Sequence, residues 1–185
     1  MSYINRSKKL KQFHELHRYE RGLLPWGGFE GPWMKEYDFC KAHHFGVTFI
    51  VHRNPEKGTL SAHVRIPESH PLSEEDISVI DPQKIFTISE WHGESGLVMN
   101  PSNKNEFLWD ESGPRARWIG CDHSGLNDVI PQAGHFEDEN RTYRPFWEIV
   151  KDCIEVAGYI SSFDSSECDD LSIEEIMESF EWFDE

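Results

Sequence analysis

The sequence predicts an α+β domain, in which a mainly antiparallel, twisted sheet is covered by a long C-terminal amphipathic helix, with helical extensions at both ends. Three observations carry this prediction. LSAHVRI (60–66) alternates apolar and polar residues as a half-buried strand does. Several β-rich runs are separated by breaks rich in Pro and Gly. The stretch after Pro145 repeats apolar residues at helical spacing. At 185 residues, with seven Trp among 13% aromatic residues, the chain can pack one sizeable core and is short for two.

Taken in order, residues 4–21 (INRSKKLKQFHELHRYER) place Ile4, Leu10, Phe13, Leu16 and Tyr19 among charges ahead of Gly22, and predict a basic N-terminal helix over 1–22. LLPWGGFEGPWMKEY (23–37) reads as an ordered aromatic loop that wraps onto the domain, because Trp26, Phe29 and Trp33 call for burial. HFGVTFIVHR (44–53), the turn NPEKG (54–58) and LSAHVRI form an antiparallel hairpin. In its second strand Leu60, Ala62, Val64 and Ile66 share one face, with Ser61, His63 and Arg65 on the other. IFTISEWH (85–92) gives a further strand, residues 105–109 a short one and ARWIGCD (116–122) another.

Pro145 then opens a helix whose inner stripe is Phe146, Ile149, Val150, Cys153, Ile154, Ala157 and Ile160. Ser172 and Glu175 have capping-box spacing for a second helix with Ile173, Ile176, Met177, Phe180 and Phe183 on its apolar face. The expected division is thus a basic helix (1–22), a single α+β domain (23–160) and an acidic amphipathic helix (161–185).

Charge narrows the functions. The chain carries −16; residues 1–21 contribute +4, residues 161–185 contribute −10 with no Lys or Arg, and the body contributes the remaining −10. Such a body repels nucleic acid and anionic membrane and attracts cations or basic protein surfaces, so direct DNA binding is disfavoured. Cys40, Cys121, Cys153 and Cys168 form no CxxC pair and predict neither a disulfide framework nor a zinc knuckle. With no signal peptide or apolar span legible, a cytoplasmic location is expected.

Three turns concentrate polar groups: PESHPL (67–72), EWHGES (90–95) and GCDHSGLND (120–128). If they lie along one edge of the sheet, Glu68, His70, His92, Asp122, His123 and Asp128 converge. Imidazoles and carboxylates at such an edge suit a small ligand, a Zn²⁺-like ion with an open position for water, or His–Asp acid–base chemistry. The competing reading is structural: turns built by Gly93 and Pro71, with Asp122 and Ser124 bonding nearby backbone N–H groups. His14 and His17, three apart, read as a solvated helix face. Ser124 lacks a GxSxG elbow, and Gly27, Gly28 and Gly31 make no phosphate loop, so no cofactor is identified. Cys121 and Cys153 fall in apolar contexts where a thiol behaves as a small hydrophobe. In the acidic tail, Asp169, Asp170, Glu174, Glu175, Met177, Glu178, Phe180 and Glu181 form a candidate partner surface, able to dock on a basic protein, imitate nucleic-acid charge, or cover the protein's own sheet.

AHVRIPESHPLS (62–73), WHGE (91–94), RWIGCDHSGLNDVIP (117–131) and TYRPFWEIVKDCIEVAGYI (142–160), in that order, resemble a family of small uncharacterised bacteriophage and bacterial proteins. The resemblance covers about residues 45–160. The family usually has Cys directly after the Asp of the third motif and His about two positions later; here His123 follows Asp122 and Gly125 takes the later place. The resemblance implies an accessory gene of a phage or mobile element, a setting in which counter-defence is a common task. The resulting expectation is a non-enzymatic binding protein capturing a host protein through acidic surface or a small ligand at the His/Asp edge. A His/Asp-dependent, metal-assisted hydrolase is the alternative.

Overall fold

The computed structural model describes residues 13–81, 83–125, 128–133 and 141–163. Eight strands run in chain order: β1 Phe13–His17, β2 Phe39–His44, β3 Val47–Arg53, β4 Leu60–Pro67, β5 Ile88–Gly93, β6 Leu97–Asn100, β7 Asn103–Trp109 and β8 Arg115–Asp122. Among the described residues, two helices, α1 (Ile77–Ile80) and α2 (Phe146–Ser161), and short 3-10 turns join these strands. Six strands form one antiparallel sheet in the order β1-β2-β3-β4-β8-β5, and β6–β7 make a separate two-stranded sheet. This is the α+β architecture that alternation and helical spacing predict.

The alternation of β4 decides which face is covered. Leu60, Ala62, Val64 and Ile66 point into a core shared with Phe49 and Val51 of β3, Ile119 and Cys121 of β8, and the inner stripe of α2. All seven predicted inner residues of α2 are buried, together with Val156, and fully burying a large apolar side chain contributes about 1.5–3 kcal/mol. Pro145 stands just outside as the N-cap rather than at the first helical position.

Phe39, Ile50, Ala116 and Trp118 face the opposite way, and the β6–β7 hairpin closes over them with Leu97, Phe107 and Trp109. Phe107 lies flat on Phe39, ring centroids 3.7 Å apart.

Three expectations need correction. Over its described part the N-terminal segment is not helical: Phe13–His17 is a strand bonded to the edge of β2, and Arg21–Leu23 is a 3-10 turn. An i, i+3 apolar pattern fits a helix, but the open edge of β2 offers this chain backbone partners that a lone helix would forgo. β1 therefore belongs to the main sheet, and no boundary at residue 22 separates it. Second, the strand expected over 44–53 is broken by Phe45 and Gly46, whose φ values of 50° and 75° turn β2 into β3 as a two-residue hairpin. Phe45 tolerates this position because its ring seats on Gly158 of α2, where an added Cβ would lie 3.2 Å from it. Third, Trp26 and Trp33 are buried as expected, but Phe29 is exposed. The short strand expected at 105–109 forms as β7 and pairs with β6 in the separate two-stranded sheet. The predicted acidic helix of 161–185 lies outside the described residues from 164 onward.

Candidate functional site

Strand register decides where the polar turns go. Ser61 pairs with Asp122 and Pro67 with Ala116, while Ala116 also faces His92 of β5. The PESHPL and EWHGES turns therefore share one end of the sheet, and Asp122, His123 and Asp128 stand at the other. The run from Ala116 to Asp122 spans about 20 Å at roughly 3.3 Å per residue. The single His/Asp edge expected from the sequence does not form, because antiparallel pairing sends the end of β4 to the start of β8.

Each predicted site residue thereby takes a local role. His70 Nδ1 accepts the Leu72 N–H at 3.1 Å and caps the turn Pro71–Ser73, which Arg117 ties to β8 by donating to the carbonyls of Ser73 and Glu75. Glu68 is exposed on that turn. His92 presents Nδ1 to Glu111 at 2.6 Å and Nε2 to Glu90 at 3.1 Å, and its ring stacks on Trp109 with centroids 4.0 Å apart. Asp122 accepts hydroxyl hydrogens from Ser61 (3.2 Å) and Ser124 (2.6 Å), bonds to side chains where backbone N–H groups had been expected. Asp128 accepts the Gly125 N–H at 2.8 Å.

His123 and Asp128 do come together, in a small open cleft with space for about one water molecule between the end of β8 and the approach to α2. Thr59, Leu60, Val129, Thr142, Tyr143 and Arg144 complete its walls. The His123 backbone N–H is held by the Leu60 carbonyl at 2.9 Å, and residues 128–129 are held by Thr142 through the Val129 N–H. Below the cleft, His123 Nε2 lies 3.5 Å from Cys121 Sγ. Burial first, then the charge of Arg144, holds the His123 imidazole below its ordinary pKa against the pull of Asp128, Asp122 and Asp152. Burial pushes the Cys121 thiol up to about 12, so it stays protonated, and among the described residues no acid hydrogen-bonds to His123. A Cys–His nucleophile thus lacks both a thiolate and an orienting carboxylate.

Arg144 is already engaged: Nη2 lies 2.7 Å from Asp152 and Nε 3.9 Å from Glu148. Among the described residues no Lys or Arg pairs with Asp128, whose carboxylate is the uncompensated charge of the cleft. Sequence reasoning found His123 and Asp128 but missed Thr59, Thr142 and Arg144, which reach the cleft from other segments. TYRP ahead of the helix was a signal for Thr142 and Arg144, and nothing local pointed to Thr59.

The opposite face of the sheet carries a second polar cluster that the sequence hid. His52 of β3 and His63 of β4 bring their Nε2 atoms to 3.3 Å. Trp109 lies edge-on to His63, centroids 5.0 Å apart, and so stands between it and His92. Gly120 of β8 makes room for His63: a Cβ there would meet His63 Nδ1 at 2.7 Å and the Ala62 carbonyl oxygen at 2.4 Å. Burial lowers the pKa of His52 to about 4 and that of His63 well below its ordinary value. No helix among the described residues is long and apolar enough to cross a membrane. No family model, curated protein or solved structure matches the chain.

Proposed function

We propose that this protein is a non-enzymatic binding protein that captures a basic segment of a partner protein, seating one cationic side chain in the cleft between β8 and α2. The observation that supports this reading is the Asp128 carboxylate, which among the described residues accepts one backbone N–H and pairs with no Lys or Arg, at the wall of a small open cleft. Pockets for drug-sized ligands run to about 300–1,000 Å³, whereas this cleft has space for about one water molecule, so it suits the charged tip of one side chain resting at its open mouth. Thr59 and Thr142 supply hydroxyls that can accept from an ammonium or guanidinium, and the neutral His123 adds no positive charge to repel it. The overall charge of −16 draws basic partners from a distance, which raises encounter rates more than it adds affinity.

The reading places the specific contact in the cleft and gives the acidic tail of 161–185 the part of long-range attraction. In the setting implied by the resemblance to phage and bacterial proteins, such capture would serve counter-defence against a host protein. Hydrolysis is the weaker reading, because the thiol that His123 contacts among the described residues is buried and protonated.

Fluorescence anisotropy with a labelled Lys-rich hexapeptide and its Glu-rich counterpart tests the proposal. The Lys-rich peptide should bind, and Asp128→Asn should weaken it about tenfold, the size of a lost partly buried charge pair. A Glu174→Gln/Glu175→Gln/Glu178→Gln variant should slow association with little change in dissociation. Equal affinity of wild type and Asp128→Asn, with loss in the tail variant, would move the binding surface to the tail. Equal binding of both peptides would end the proposal.

A further inference from the structure

We propose that His52 and His63 form a binding site for a Zn²⁺-like divalent transition metal ion on the face of the sheet beside the β6–β7 hairpin. Neighbouring antiparallel strands carry the two residues, whose pleats put both side chains on the same face: Ile50 pairs with His63, and His52 with Ser61. Their Nε2 atoms are 3.3 Å apart while the ring centroids stay 5.4 Å apart, so both rings aim Nε2 at a shared region. Two nitrogens on a tetrahedral zinc, each bonded at about 2.0–2.1 Å, lie about 3.3–3.4 Å apart, and the pair already has that edge length.

Without metal, the same contact is an N–H···N hydrogen bond, one ring donating from Nε2. Binding an ion requires only that this ring move its proton to Nδ1, since a neutral imidazole ligates through the nitrogen that bears no proton. Packing holds the His63 ring in place: Trp109 packs at right angles against it, and Gly120 supplies the space it occupies. The His52 residue keeps part of its surface exposed even though its ring is desolvated, and of the two it stands nearer to solvent. One row away, Asp122 lies across Ser61 from His52 and supplies a negative charge that acts on that ring. Among the described residues no cluster of three His, Cys, Asp or Glu is arranged to hold a metal. Water therefore fills the remaining positions, and imidazole ligands favour zinc, copper or nickel over calcium or magnesium.

The test is calorimetric titration of Zn²⁺ into the full chain after chelator treatment, with His52→Gln and His63→Gln, and electron paramagnetic resonance of the Cu²⁺-loaded wild type. One equivalent should bind, either substitution should weaken binding at least about tenfold, and the Cu²⁺ spectrum should show coupling to two imidazole nitrogens. His63 is buried, so its variant is open to misfolding. The spectrum of the unaltered protein and the partly exposed His52→Gln keep the proposal decidable. Zn²⁺ affinity unchanged in His52→Gln, no Zn²⁺ binding by wild type, or a single coupled nitrogen would each overturn it.

Discussion

The Arg53 guanidinium and the Asp38 carboxylate, neither exposed to solvent, meet at 2.8 Å beneath the aromatic loop. Asp38 also accepts from the Tyr19 N–H and from Arg21, while Arg53 donates to Glu36 and to the Gly58 carbonyl. Tyr143 closes the ring by donating to Glu36, and Trp26 lies under both guanidiniums. This network joins the N-terminal strand, the end of β3 and the segment that leads into α2. It thereby sets where Thr142 and Arg144 enter the cleft.

Removing one partner from a buried pair strands the other charge away from water. Asp38→Ala should therefore lower unfolding free energy by about 3–5 kcal/mol, read as a shift in the urea midpoint. Asp38→Asn keeps the shape and most hydrogen bonds and should lose less. A change in Asp38→Ala no larger than that of an exposed pair, about 1 kcal/mol or less, would show that Glu36, Tyr143 and the Gly58 carbonyl satisfy Arg53 without it.

The His52–His63 pair gives the metal-free protein a pH dependence with a definite sign. Both imidazoles are neutral in folded and unfolded chains above about pH 6.5, so they add no pH dependence there. Below that, the unfolded chain takes up protons that the folded pair refuses, and stability falls as pH drops from 6.5 toward 4. For His52 alone the loss by pH 4 is on the order of 3 kcal/mol. Thermal unfolding with chelator present should show this decline, and His52→Gln should flatten it. A melting temperature that holds constant from pH 6.5 to 4.5 would contradict the burial of both rings.

Cys121 should resist alkylation. With its thiol pushed up to about 12, only a minute fraction is thiolate at pH 8. Peptide mapping after iodoacetamide treatment should find Cys121 unmodified in the native protein and modified in urea. Rapid labelling in the native protein would restore Cys121 and His123 as a nucleophilic pair and reopen the hydrolase reading.

Local pattern was enough where one residue's environment depends on near neighbours. The stripe from Phe146 to Ile160, the alternation from Leu60 to Ile66 and the turn at 54–58 were all legible, because helical and strand periods are set by the backbone itself. The Phe13–His17 segment misled because its apolar spacing suits two periods, and a neighbouring strand edge made the choice. Its Leu16 packs against the same core as the helix stripe does.

The sequence by itself determined the helix after Pro145, the strand alternation from Leu60 to Ile66 with its covered face, and the charge distribution, all of which follow from side-chain period and residue type. Only the tertiary structure decided the sites. Antiparallel register sent His92 and Asp122 to opposite ends of β8 and brought His52 beside His63 from different strands. It also carried Arg144 to His123 from a separate segment. Each of those meetings depends on which residue pairs with which across a sheet, a relation fixed by packing and hydrogen bonding between distant segments that no local period encodes.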